Sequence, residues 1–261
     1  MNDPFTKKSL GQHWLYDDGA LEAMCEAADV GKGDVVLEIG PGLGTLTKKL
    51  VAKAQKVVAI EFDDELAHDL PSRVTADNLE VHHFDILSFD LTSLPKGYKV
   101  VANIPYYLTS KLLRTLCESK NPPSRIALLV QKEVAERVAS GAGDMSLLSV
   151  SVQFYCDVSL GQVVPAKLFT PPPKVDSQIL ILHYRGPKFT DVETDDFFRL
   201  VKAGFSERRK KLRSSLSGGL RITKEESDAL LAKAGIDQNL RAQELNLEDW
   251  RKLYDSINVR A

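Results

Sequence analysis

The sequence predicts an α/β fold: a mainly parallel sheet covered by helices on both faces, followed by a small all-helical domain. Three observations carry this. From residue 34 to about 130, short aliphatic and β-branched runs alternate with amphipathic helical stretches, which is the pattern of βαβ units. A glycine-rich turn separates the first of these strands from the first helix. After Gly186-Pro187 the strand pattern stops and the later periodic segments are helical.

The first five strands are expected at 35–39, 56–60, 79–83, 99–102 and 126–130, with helices at 45–52, 64–73 and 109–118. The strand segments are apolar with little alternation, as in a sheet buried on both faces. A further helix is expected over 144–155, and strands at 157–164 and 177–184 read as an antiparallel pair at the sheet edge. Between them, Phe169-Thr170-Pro171-Pro172-Pro173-Lys174 carries three prolines. These fit neither a helix interior nor a central strand, so a stiff loop is expected. Helices follow at 194–203, 210–216, 223–234 and 246–257. Thr223 and Glu226 have capping-box spacing, and Gly235 stands where a helix-ending glycine belongs. A boundary between 185 and 190 divides the chain into a catalytic domain, 1–186, and a helical domain, 187–261.

Composition narrows the function. Hydrophobic residues make up 43% and charged residues 27% of the 261, which excludes a disordered chain. The three cysteines, Cys25, Cys117 and Cys156, have neither disulfide-framework nor zinc-site spacing. His82 and His83 are adjacent in a strand and point to opposite faces, so no metal site is expected. With no signal-peptide core and no run of about 20 apolar residues, a cytoplasmic location and no membrane partner are expected. The net charge of −2 does not by itself favour nucleic acid as a partner. Any contact with phosphates must come from local clusters.

Glu38-Ile39-Gly40-Pro41-Gly42-Leu43-Gly44 directly follows the first strand. Gly40 and Gly42 let the backbone turn sharply and let a ligand approach it closely. The spacing is GxGxG rather than the GxGxxG of dinucleotide sites, and with its preceding acid it resembles the cofactor loop of class I methyltransferases. Glu61 ends the second strand, where a carboxylate can accept both hydroxyls of a ribose. Asp85, after the third strand, is placed to accept an adenine amino group, although Asp is also ordinary turn chemistry there.

Asn103-Ile104-Pro105-Tyr106 follows the fourth strand and resembles the (Asn/Asp)-Pro-Pro-Tyr motif of amino-group methyltransferases. An exocyclic adenine amine is a poor nucleophile because its lone pair is delocalised into the ring. The Asn103 side-chain oxygen and the Ile104 carbonyl can hold its hydrogens and favour a pyramidal nitrogen. Pro105 stiffens the turn and removes an amide donor, and Tyr106 offers a face for stacking. Phe169 is the second candidate stacking surface for a base drawn out of its helix.

With these segments the chain resembles, nearly end to end, the bacterial small-subunit ribosomal RNA adenine dimethyltransferases. The matching runs are Lys8-Ser9-Leu10-Gly11-Gln12-His13-Trp14-Leu15, the glycine loop, Asn103 to Tyr107, Gln131-Lys132-Glu133-Val134, Phe169 to Ser177, and Arg208-Arg209-Lys210-Lys211-Leu212. The resemblance implies a Rossmann-like class I S-adenosylmethionine-dependent methyltransferase domain with a small helical C-terminal domain. It implies N6-dimethylation of two adjacent adenosines in a hairpin loop near the 3′ end of small-subunit RNA, and S-adenosylhomocysteine as co-product. The implied partners are that RNA and the immature small subunit, met by a monomer. By position, His13, Leu15, Gly40, Glu61, Asp85 and Asn103 contact the cofactor, Gln12 shapes its pocket, and Phe169 stacks on the target base. Trp14 stands where the family usually has Phe. Ser214 and Ser215 stand where Asn is frequent.

Arg208, Arg209, Lys210, Lys211 and Arg213 place five positive charges in six positions, and Lys7 and Lys8 add a smaller pair. In a net-acidic chain such clusters suit phosphate contact. Three other readings stay open on sequence: an enzyme acting on large-subunit RNA, of the kind that confers macrolide resistance; a subunit-assembly factor; and a dinucleotide-dependent oxidoreductase.

Overall fold

The structure, a computed structural model, describes residues 12–207 and 209–258. Lys7, Lys8 and Arg208, expected to contact RNA, lie outside the described residues.

Five strands run parallel: β2 (Val35–Ile39), β3 (Lys56–Glu61), β4 (Leu79–His83), β5 (Lys99–Asn103) and β6 (Arg125–Gln131). Most of their residues are buried, as the apolar runs require. Two antiparallel strands, β7 (Cys156–Val164) and β9 (Ser177–Tyr184), complete the sheet in the order β4-β3-β2-β5-β6-β9-β7. The chain thus runs outward from β2 on one side and from β5 on the other. Where that direction reverses, the carboxyl ends of neighbouring strands open into a crevice.

Helices α2 (Thr45–Lys53), α3 (Asp64–Arg73) and α4 (Thr109–Cys117) are the crossovers expected from sequence. Helix α1 (Asp18–Ala27) is an addition. It is capped by the Asp17 carboxylate on the Ala20 N–H at 2.9 Å, and it buries Ala20, Leu21, Met24 and Cys25 in a core shared with Val36, Val57, Val101 and Leu129. Asp17 is the sequence signal for it. Two short strands are further additions: β1 (Trp14–Leu15) pairs antiparallel with β8 (Phe169–Thr170), Leu15 opposite Phe169. The proline-rich loop is thereby tied to the N-terminal segment. The Nδ1 of His13 lies 2.7 Å from the Pro171 carbonyl.

The described residues fall into two compact units. The first runs to Glu136 and includes Cys156–Arg185; the second comprises Arg137–Tyr155 and the chain from Gly186. Residues 137–155, which lie ahead of the boundary expected from sequence, therefore pack with the helical unit. Helix α5 (Lys132–Ala139) begins in the first unit. The second holds α6 (Leu147–Gln153), α7 (Thr194–Gly204), α8 (Leu212–Leu220), α9 (Lys224–Ala234) and α10 (Leu247–Asn258). Its core is aromatic: Phe154 packs against Phe189, Phe197 and Phe198. Trp250 lies so close to Gly204 that a β-carbon there would stand 2.3 Å from the indole. The Thr223–Glu226 capping box forms, and Gly235 ends α9 with φ +68°.

The basic run corrects one expectation. The helix expected over 210–216 begins at Leu212 as α8, so Arg209, Lys210 and Lys211 stand ahead of it and are not helical.

Candidate active site

Pairing between β2 and β5 reaches Glu38 opposite Val101 and goes no further. Gly40 and Asn103, each two residues beyond, therefore sit at the splayed ends of the two strands. A cavity of about 310 Å³ opens there, lined by residues from the ends of β2, β3, β4 and β5 and by β1 and β8.

All the cofactor candidates among the sequence-derived residues line this cavity: Gln12, His13, Leu15, Gly40, Gly42, Glu61, Asp85 and Asn103. So do the catalytic candidates Ile104, Pro105, Tyr106 and Phe169. Gly40 has φ +66° and donates its N–H to the Ile60 carbonyl at 2.9 Å. Gly42 has φ +55°, and a β-carbon there would stand 2.3 Å from the ring of Trp14. Both positions need glycine, the second because an indole packs on the loop.

Glu61 is 6% exposed. One of its oxygens accepts the Gly42 N–H at 3.0 Å and the other the Asp63 N–H at 2.9 Å. Burial raises its pKa, and those amides oppose the rise. A carboxylate oxygen has two lone pairs, so acceptor capacity remains for ligand hydroxyls. Asp85 is exposed, and its Oδ1 accepts the Leu87 N–H at 2.9 Å. Its turn role and its place in the cavity wall coexist.

At the end of β5, the Asn103 Nδ2 donates to the His13 carbonyl at 3.3 Å. With the amide nitrogen so used, the amide oxygen is the atom left to accept from a ligand. The Tyr106 hydroxyl lies 2.9 Å from the Ser177 Oγ, and its ring stacks on His13 with centroids 6.1 Å apart. Ser177 is placed by the Gln131 segment: Gln131 is in register with Ser177, and the Lys132 N–H donates to the Asp176 carbonyl at 3.0 Å. Phe169 is 3% exposed and belongs to the hydrophobic core, so it bounds the cavity with little free ring face.

Sequence reasoning misses Phe62 and Phe84, which are 61% and 46% exposed and line the cavity just after Glu61 and just before Asp85. The Phe84 N–H donates to the Glu61 carbonyl at 2.8 Å, so the two aromatics sit on neighbouring strand ends. Apolar residues next to acids at strand ends are the signal that could find them. Glu38 also has no role on sequence alone. It lines the cavity yet is 1% exposed, and burial lifts its pKa to about 8. The Thr47 hydroxyl, like the carboxylate without a well-aligned partner, offsets only part of that rise.

Of the basic residues, Arg209 is exposed in the α7–α8 connection. Lys210 pairs with Glu207 at 2.5 Å, Lys211 donates to Asn239 at 2.7 Å, and Arg213 pairs with Asp228 at 2.6 Å. Arg213 is thus engaged inside the helical unit. Cys25, Cys117 and Cys156 are buried free thiols. No group of three or more metal-ligating side chains occurs among the described residues, and no helix among them is long and apolar enough to cross a membrane.

Among the described residues, the cavity is lined by Glu61 and Asp85, by the Glu38 carboxyl that burial keeps protonated near neutral pH, and by no Lys or Arg. A dinucleotide pyrophosphate would meet no side-chain cation from them, whereas a nucleoside carrying a positive sulfonium meets a negative surround. The glycine turn, buried Glu61 and the Asn-Ile-Pro-Tyr turn, brought together at the reversal of a Rossmann-like sheet, define an S-adenosylmethionine-dependent methyltransferase.

Comparison with known proteins gives the particular family. The family model described as ribosomal RNA adenine dimethylase matches residues 5–259, and the chain belongs to that family. It is 43% identical over 252 residues to the ribosomal RNA small subunit methyltransferase A of Dehalococcoides mccartyi strain CBDB1, spanning 95% of this chain and 87% of that one. It is 39% identical to the protein of the same name from Clostridioides difficile, spanning 97% and 91%. Among solved structures, a dimethyladenosine transferase from Plasmodium falciparum superposes with a TM-score of 0.80 at 29% identity, covering 95% of this chain and 98% of that one. The 23S rRNA methyltransferase ErmE gives 0.75 at 27%, covering 94% and 99%.

Proposed function

We propose that this chain dimethylates the N6 amines of two adjacent adenosines in a hairpin loop near the 3′ end of small-subunit ribosomal RNA, working in the cytoplasm as a monomer on the immature subunit. The observation that carries this reading is the meeting of Gly40 and Asn103 in one cavity. S-adenosylmethionine, when bound, supplies an activated methyl group on a sulfonium and leaves as S-adenosylhomocysteine. Gly40 and Gly42 give it backbone clearance, Glu61 accepts from its ribose, and Asp85 accepts from its adenine amine. Gln12, His13 and Leu15 close the wall beside it.

On the other side of the crevice, the Asn103 side-chain oxygen and the Ile104 carbonyl accept the two N6 hydrogens of the target. This pins the nitrogen for in-line attack, and positioning supplies most of the rate. Pro105 brings no N–H to compete for those acceptors. The Tyr106 ring and Phe169 bound the space the flipped base enters. No strong base is required before transfer, and the extra proton leaves the methylated nitrogen afterwards. Arg209 and Lys211 of the helical unit contact RNA phosphates, with Arg208, Lys7 and Lys8 as further candidates.

The curated relatives support the small-subunit substrate over the large-subunit one. Incubation of the purified chain with each unmethylated RNA, as free RNA and as particle, and labelled cofactor tests this. Mass spectrometry of nucleosides is expected to find dimethyladenosine in small-subunit RNA. Methylation of large-subunit RNA alone would overturn the reading.

A further inference from the structure

Tyr107 is 65% exposed, although it follows directly on half-buried Tyr106. Its backbone is not loose. Residues Tyr106–Leu108 form one 3-10 turn running into α4. The Leu108 N–H donates to the Pro105 carbonyl at 3.0 Å, and the Thr109 hydroxyl to the Tyr106 carbonyl at 3.0 Å. The Tyr107 ring is therefore held out on a fixed turn, at the rim of the cavity that contains Asn103. Its side chain makes no hydrogen bond and no ring contact with any described residue, so folding gains little from it. The rim aromatics Phe62 and Phe84 follow β3 and β4, on the Glu61 and Asp85 side of β2. Tyr107 follows β5, on the side of the amine acceptors.

A base that enters the cavity leaves the stack with its chain neighbours, and the neighbour is left with an uncovered flat face at the mouth. We propose that Tyr107 stacks on the nucleotide adjacent to the adenosine being methylated, holding the second adenosine in register while the first is inside. This rests on the adenine-in-RNA reading above. It adds a stacking residue that acts on the neighbour and not on the reacting base.

The test uses the full chain and small-subunit RNA, with 2-aminopurine in place of the nucleotide beside the target for a fluorescence readout. Tyr107→Leu is expected to raise KM for RNA about tenfold, the scale of one base–aromatic stack. Affinity for S-adenosylhomocysteine without RNA stays at the wild-type value, and the bound 2-aminopurine becomes brighter because its stacking partner is gone. Tyr107→Phe restores both readings. Wild-type KM and fluorescence in Tyr107→Leu would overturn the proposal. So would equal losses in the Phe and Leu variants, which would point to the hydroxyl. If the wild-type chain methylates neither adenosine, the RNA reading itself has failed and takes this inference with it.

Discussion

Gly40 and Asn103 face one another across the splayed ends of β2 and β5, with the Asn103 carbonyl oxygen 4.0 Å from where a β-carbon on Gly40 would stand. Among the described residues, no other non-neighbouring atom comes as near that point. Two turns separated by more than sixty residues thus share one ligand space. The cause is the topology: β2 and β5 are neighbours in the sheet but lead the chain in opposite directions, so their carboxyl ends have no crossover between them.

If the Asn103 oxygen accepts from the target amine, Asn103→Ala removes an interaction that strengthens as the nitrogen becomes pyramidal. Loss of one such preorganised group costs about 10²–10³ in kcat in comparable sites. Single-turnover transfer at saturating RNA and cofactor is expected to slow by that order, with RNA binding retained. A rate within a few-fold of wild type would remove Asn103 from the chemistry.

Much of this site is legible in the sequence because its residues sit at strand ends, where chain order and spatial order coincide. Gly40 and Asp85 come just after two strands, and Glu61 and Asn103 end two others. Less legible are features set by contacts between distant segments. Trp14 packs on Gly42, and β1 pairs with β8, through register that no local pattern encodes. Phe169 reads as a stacking face on sequence, but that pairing draws it into the core. The helix expected over 210–216 starts later, at Leu212. Lys211 instead stands ahead of α8 in an extended conformation, with φ −61° and ψ 149°.

Gly42→Ala adds a β-carbon at positive φ and against an indole. The left-handed conformation alone costs roughly 1–2 kcal/mol, and the indole must also move. A lower melting temperature and at least tenfold weaker S-adenosylhomocysteine binding are expected by calorimetry. Trp14→Phe, with its smaller ring, is expected to be tolerated and to recover part of the loss in the double variant. Wild-type affinity in Gly42→Ala would show that the loop does not depend on this contact.

Glu38 makes stability fall with pH. Its pKa rises from an ordinary 4.5 to about 8 in the folded chain because burial disfavours the charged form. Below the lower value both states hold the proton. Between the two, the unfolded chain has released it and the folded chain has not, so stability declines as pH rises and levels off above about 8. At about 1.4 kcal/mol per unit, the effect is of the order of a few kcal/mol. Glu38→Gln keeps the shape and cannot titrate. Its melting temperature is expected to exceed wild type at pH 8 and to match it near pH 4; equal slopes between these pH values would contradict the assignment.

The basic residues separate into two kinds, and the separation can be measured. Arg213 is about one-third exposed and paired with Asp228 at 2.6 Å, so a Glu there places like charges together inside the helical unit. Arg209 is exposed, and the Lys211 ammonium donates to the neutral Asn239 side chain. Reversing Arg209 or Lys211 is therefore expected to leave the melting temperature within a degree or two and to weaken RNA binding. Removing one phosphate-neutralising cation makes the slope of log affinity against log salt shallower by about 0.7–0.9. Arg213→Glu is expected to do the opposite, lowering the melting temperature by several degrees, since it replaces a pair worth about 1 kcal/mol with repulsion. Titration of RNA at several salt concentrations, alongside thermal melts, distinguishes the two patterns. An unchanged salt slope in the Arg209→Glu, Lys211→Glu double variant would mean that this connection is a solvated face and that the phosphates are met elsewhere on the chain.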